Sequence, residues 1–260
     1  MSEVRSADGS TIGWTTIGSG PPILLVHGTA LDRRAWNGVR RRLADRFTVH
    51  TMDRRGRGLS LAEHLPYDIV REAEDVAAVV EAVGRDVYVV GHSYGARCAL
   101  EAALISDAVG RMFLYEPPMP TPAHRVARAG LLDRLRKLAA TGDDDGVLST
   151  FLLDALRLAP DTVPAMRKTK AWSALLANAP LISRELECVQ RTDVLDRLGK
   201  VTVPVRLLVG TTSAEYMRPA AESIVAALPD ADLVELPGQG HTANETAPDQ
   251  LAGAIRDFAS

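Results

Sequence analysis

The run Asp86-Val87-Tyr88-Val89-Val90 is short and apolar, and Gly91-His92-Ser93-Tyr94-Gly95 follows it without a break. From Ala96 to about Ser106 the chain becomes apolar and helical in character. A strand, a tight turn and a helix in that order leave the serine at the tip of a strained turn, its Oγ exposed above the end of a sheet. Glycines two residues to either side are needed there, because a Cβ would collide with the neighbouring strand or helix. A Gly/Ser turn can arise by chance in a chain with 20 glycines. The strand before it and the helix after it make Ser93 the leading candidate for chemistry.

The rest of the chain supplies a frame for such a turn. Ser10 to Ile17 reads as a strand reached through the Asp8-Gly9 turn and paired as a hairpin with residues 2–6. Pro22-Ile23-Leu24-Leu25-Val26-His27 is a continuous apolar run, the pattern of a parallel strand buried on both faces. A helix is predicted over 35–44 and a strand from Phe47 to Met52. Asp68 to Val83 is amphipathic, with Val76, Val79, Val80 and Val83 on one face and Gly84 ending it. After the helix that follows Ser93, a further strand is predicted over Val109–Tyr115. Alternation of this kind predicts an α/β fold, a mostly parallel sheet with helices on both faces.

The alternation stops at Glu116. Pro117, Pro118, Pro120 and Pro122 fall within six residues, and no strand-like run returns until about 203. Leu131, Leu132, Leu135, Leu138 and Ala139 form one helical stripe, and Val147, Leu148, Phe151, Leu152 and Ala155 a second. The turn Asp143-Asp144-Asp145 between them reads as a solvated helix boundary rather than a metal site. Pro160, Pro164 and Pro180 bound further helical pieces, one holding Trp172. The expected division is a core of residues 1–116 and 197–260 and an all-helical insertion over 117–196. Alternation then resumes with a strand over 203–210, a helix near 217–227, the strand Ala231 to Leu236 and a closing helix near 248–259. Thr246 and Asp249 have the spacing of a capping box at the start of that helix.

At 260 residues the chain can bury a sizeable core, and its net charge of −3 argues against nucleic acid as the main partner. Two basic clusters, Arg40-Arg41-Arg42 and Arg54-Arg55-Gly56-Arg57, read as a solvated helix face and a solvated loop. Cys98 and Cys188 are too few for a disulfide framework and lack a metal-ligand spacing. Cys98 falls in the helix after Ser93, where it reads as a small buried thiol. The first five residues have no apolar core of a signal sequence, and no apolar run reaches membrane-spanning length. The expectation is a cytoplasmic protein with no membrane partner, a monomer or homodimer, acting on a small molecule.

Three motifs, Val26-His27-Gly28-Thr29, Gly91-His92-Ser93-Tyr94-Gly95 and Gly238-Gln239-Gly240-His241, occur in this order. In them the chain resembles the α/β-hydrolase superfamily, especially its small bacterial esterase-like and haloperoxidase-like members. The resemblance covers about residues 10–116 and 200–258, and it implies that the insertion is a helical cap over the strand ends. It also implies Ser93 as nucleophile and His241 as the base that takes its proton, with backbone N–H groups of Thr29 and Tyr94 as the oxyanion hole. His27 then braces its loop, His92 packs inside the turn, and Asp53 braces the strand-end loops. His50, His64 and His124 have no motif around them and read as surface residues.

The third catalytic member departs from the family pattern. Members usually place an acid a few positions after the strand that here ends at Val209. This chain has Gly210-Thr211-Thr212-Ser213-Ala214-Glu215 at that place. Two carboxylates remain, Glu116 at the end of the preceding strand and Glu215 in the usual loop. Glu116 is preferred because a strand end holds a side chain more firmly than an open loop does. The function implied is hydrolysis of an ester, lactone or thioester of a small apolar molecule, with no cofactor or metal. Met119, Met166, Trp172 and Met217 are candidates for the pocket lining. The alternatives are a lyase, cyclase or C–C bond-cleaving enzyme on the same fold, or a small-molecule binding protein with a relict triad.

Overall fold

Runs rich in Val, Leu and Ile fold into strands, and here every residue of the strand that precedes Ser93 is buried. The computed structural model of the protein describes residues 1–122 and 130–259. Its strands are β1 (Ser2–Arg5), β2 (Thr11–Ile17), β3 (Pro22–Val26), β4 (Thr48–Met52), β5 (Val87–His92), β6 (Val109–Tyr115), β7 (Val205–Gly210) and β8 (Ala231–Leu236). They form one sheet in the order β1-β2-β4-β3-β5-β6-β7-β8. The predicted hairpin is β1 against β2, and β2 also runs antiparallel to β4. From β4 across to β8 all neighbours are parallel. The chain passes from β4 over β3 to β5, so the order reverses at the centre of the sheet. Ligands of open α/β sheets bind beyond the strand ends at such a switch.

Helices cover both faces, as the alternation predicts. One face carries α1 (Asn37–Leu43) and the C-terminal helix Pro248–Ala259, which meet over Trp36, Val39, Leu251 and Ile255. The other carries α2 (Ile69–Val83), α3 (Tyr94–Ala102) and the helix Met217–Ala227, packed through Val76, Val80, Cys98 and Ile224. Asp68 caps α2 by accepting from the Val70 N–H, and Gly84 follows its last residue. Between β6 and β7 the described residues are helical. Leu135, Leu148, Phe151, Trp172, Ile182 and Leu186 give this insertion an apolar core of its own. No helix among the described residues is long and apolar enough to cross a membrane.

Several local expectations are corrected. The 54–57 cluster is not a solvated loop: Arg54 and Arg55 are 0% exposed and Arg57 1%. Each faces a buried carboxylate, which a reading of local charge density cannot foresee. Thr246 and Asp249 do not form a capping box. The Thr246 hydroxyl donates to the Thr242 carbonyl, and Asp249 binds the Arg42 guanidinium on α1. His50 is buried within the sheet beside the Thr16 hydroxyl, while His64 is exposed as expected. His124 lies outside the described residues. Asp143 is the N-cap of the helix Asp144–Thr150, and Asp145 pairs with Arg167.

Candidate active site

Ser93 occupies the turn between β5 and α3 with φ 53° and ψ −125°, a conformation sparsely populated by residues that carry a Cβ. The turn is tied down at its own backbone, since the Ser93 N–H donates to the Tyr115 carbonyl at 2.8 Å. A Cβ on Gly91 would lie 2.4 Å from Ala96 Cα, and one on Gly95 would lie 2.4 Å from the His27 carbonyl oxygen. The close approach that the sequence pattern requires is therefore present on both sides. Ser93 lines a cavity of about 400 Å³.

His241 reaches the same cavity from the loop after β8. Its Nδ1 lies 2.5 Å from Glu116 Oε2. Glu116 follows β6 directly and also has a positive φ, 50°. Its other oxygen accepts from the Gly210 N–H at 2.8 Å and from the Ser213 hydroxyl. The end of β7 thus provides donors to a carboxylate from β6 in place of a carboxylate of its own. Glu215 is exposed and has no hydrogen bond to His241 among the described residues. The His241 loop is fixed twice more. The Tyr115 hydroxyl donates to the Gly240 carbonyl, and His92 Nε2 lies 2.9 Å from the His241 carbonyl oxygen. Burial and then the neighbouring His241 push the His92 pKa well below its usual value, so the ring is neutral and serves as a donor at Nε2.

On the opposite side of Ser93 the loop after β3 comes close. A Cβ on Gly28 would stand 2.9 Å from Ser93 Cβ. His27 Nδ1 donates to the Gly28 carbonyl at 2.9 Å, and its Nε2 accepts from the Arg54 N–H at 3.1 Å. Burial, with Arg54 and Arg57 nearby, keeps this ring neutral, and the accepted hydrogen bond selects the Nδ1–H tautomer. Asp53 braces the next loop by accepting from the Arg33 backbone at 2.8 Å and from the Leu59 N–H at 2.8 Å. Thr29 shares the cavity wall with Ser93 and His241, while Thr29, Ser93 and Tyr94 border a smaller cleft.

Behind this loop lies a buried charge network without a signature in the sequence. The Arg54 guanidinium pairs with Glu72 of α2 at 2.8 Å and with Glu185 of the helix Ile182–Arg191 at 2.6 Å. It also lies 4.6 Å from the centre of the Tyr94 ring. Arg57 pairs with the same Glu185 oxygen. Burial raises the Glu185 pKa, but the two arginines more than offset it and hold the carboxyl below its usual range. A second pair, Arg55 with Asp75, lies alongside at 2.6 Å.

The cavity wall is largely apolar and includes Phe151, Leu152, Leu156 and Leu158 of the insertion. Phe151 and Leu152 open a π-helical turn over Phe151–Ala155, a distortion frequent at functional sites. Met166 lines the cavity and Met217 the smaller cleft, whereas Met119 and Trp172 line neither. Met119 Sδ lies 3.3 Å from an Arg97 nitrogen, and the Trp172 indole donates to Asp145 at 3.2 Å. Among the described lining residues none is Lys or Arg, and Glu245 is the one carboxylate.

A mostly parallel eight-stranded sheet with a serine at a strained strand-to-helix turn defines the α/β-hydrolase class of protein. A sequence profile of the α/β-hydrolase family matches residues 23–254, and the chain belongs to that family. It is 28% identical to a 2-(acetamidomethylene)succinate hydrolase of Mesorhizobium japonicum, over 93% of this chain and 88% of that one. It is 26% identical to a pimeloyl-[acyl-carrier protein] methyl ester esterase of Nitrosospira multiformis, over 94% and 96%. The crystal structure of an α/β hydrolase from Sphaerobacter thermophilus superposes over the whole of both chains with a TM-score of 0.89 at 32% identity.

Proposed function

We propose that the protein hydrolyses an ester, lactone or thioester of a small, largely apolar molecule. In this reading His241 takes the proton of Ser93 as Oγ attacks the substrate carbonyl carbon, and Glu116 holds the imidazole and stabilises its charge. The carbonyl oxygen becomes an oxyanion facing the N–H groups of Thr29 and Tyr94. As the tetrahedral centre collapses, the bond to the leaving alcohol or thiol breaks and His241 returns the proton to it. Water, deprotonated by His241, then cleaves the acyl-enzyme and regenerates Ser93. Residues 117–196 act as a cap whose leucines and Phe151 shape the acyl pocket and exclude water.

The observation that carries this reading is the Glu116–His241 contact on the cavity that Ser93 lines. Two curated relatives are named for hydrolysis, one of 2-(acetamidomethylene)succinate and one of a pimeloyl-[acyl-carrier protein] methyl ester. Phe151, Leu152, Leu156 and Leu158 on the cavity wall suit a largely apolar substrate. A fluorophosphonate probe tests it directly. Stoichiometric labelling of the wild type is expected, abolished in Ser93→Ala and His241→Ala, with ester hydrolysis reduced by roughly 10⁶-fold in each. A folded wild type that neither labels nor turns over any member of an ester, lactone and thioester panel would overturn the reading.

A further inference from the structure

The loop of residues 27–31 stands against Ser93, yet much of what holds it comes from elsewhere in the chain. Asn178, 6% exposed within the insertion, donates through Nδ2 to the Ala30 carbonyl at 3.1 Å and the Leu31 carbonyl at 3.4 Å. Arg57 Nη1 donates to the Leu31 carbonyl at 3.3 Å, and Arg54 Nη1 reaches the His27 carbonyl at 3.4 Å. Both guanidiniums are oriented by one carboxylate, Glu185, which is fully buried in the insertion helix Ile182–Arg191. Arg54 also underlies the ring of Tyr94, the residue after the serine. The Tyr67 hydroxyl, 2.9 Å from Glu72 and 3.0 Å from the Tyr94 hydroxyl, closes that side of the network. Ala30 itself is in the left-handed region at φ 62°, a strained conformation that persists only where its surroundings over-determine it.

We propose that Asn178 and Glu185 are positioning residues for the reaction. By seating on the carbonyls of 27–31 and on the arginines beneath them, they set the Thr29 N–H against Ser93. The oxyanion site is then complete only while the insertion is docked, and the insertion is part of the catalytic apparatus as well as a wall of the pocket. This rests on the reading of Thr29 and Tyr94 as oxyanion donors. The physical reason is geometric: donors act on the transition state only at hydrogen-bond distance from the developing charge, and a displacement of about 1 Å can cost about 100-fold.

The test uses the full-length enzyme with a p-nitrophenyl butyrate assay and a trifluoromethyl ketone inhibitor. Ser93 Oγ adds to the ketone carbon, His241 takes the serine proton, and the former carbonyl oxygen carries the negative charge, so ketone affinity reports the oxyanion site. Asn178→Ala removes only neutral donors and is the primary variant. Its kcat is expected to fall about 10- to 100-fold with KM within about threefold, and the inhibition constant to rise in step with the kcat loss. Glu185→Gln, with folding checked by circular dichroism, is expected to fall further in the same two quantities. A merely structural role would lower Tm and the folded fraction without changing ketone affinity per folded molecule. That outcome, or wild-type kcat in Asn178→Ala, overturns the proposal while labelling of Ser93 by fluorophosphonate still stands. A wild type that is itself unreactive overturns both.

Discussion

The two sides of Ser93 are built in different ways. On the His241 side, most supports come from the ends of neighbouring strands: Glu116 and Tyr115 from the end of β6, Gly210 from β7, and His92 from the end of β5, with the Ser213 hydroxyl added from the loop after β7. One of these contacts uses a backbone group that the parallel ladder already holds in place, the Gly210 N–H. On the Thr29 side, the loop rests on side chains, several of them charged and far apart in sequence, with Glu185 lying 131 positions from Arg54. A strand end places a group with little further cost, because its backbone is fixed by the sheet. A buried ion network places a group only when all its members are present, since each desolvated charge is costly without its partners. The first side is therefore set mainly by the sheet, and the second is held in part by Asn178 and Glu185 of the insertion.

The largest effect that could break this contrast concerns the carboxylate. Glu116→Ala is expected to lower kcat by about 10⁴-fold and Glu215→Ala by less than about twofold, compared in steady-state kinetics after folding is verified. The reverse ranking would move the acid to the open loop and remove the strand-end side of the comparison. Next in size is the stability of the network. Arg54→Met leaves Glu72 and Glu185 under-compensated, and urea unfolding should show a loss of about 3–5 kcal/mol. A loss under about 1 kcal/mol would mean that the buried pairs are not what holds the loop. The smallest effect refines the pocket. Glu245 stands at the cavity wall with its carboxyl exposed. Glu245→Gln should raise kcat/KM for the monomethyl ester of a dicarboxylic acid about two- to fivefold relative to its dimethyl ester, as expected for removing one partly screened like charge. An unchanged ratio would show that Glu245 takes no part in selection by charge.

The sequence and the tertiary structure divide this protein along the same line. The strands, the flanking helices, the strained turn at Ser93 and the position of the insertion were legible in the chain, because hydrophobic periodicity and turn chemistry act over a few residues. Ser93, His241 and Thr29 stood out as motifs near strand ends, and Glu116 was preferred to Glu215, and it is Glu116 that lies 2.5 Å from His241. The Ser213 and Gly210 donors to Glu116 were not foreseen, although the hydroxyl-rich Gly210-Thr211-Thr212-Ser213 stretch stood where an acid was sought. The Arg54-Arg55-Gly56-Arg57 cluster looked like solvated charge, and Asn178 and Glu185 looked like nothing in particular. Local composition determined where strands end and which residues stand at those ends. Which distant charges become partners when burial strips them of water was decided only by folding, because the pairing depends on long-range contacts that no local pattern encodes.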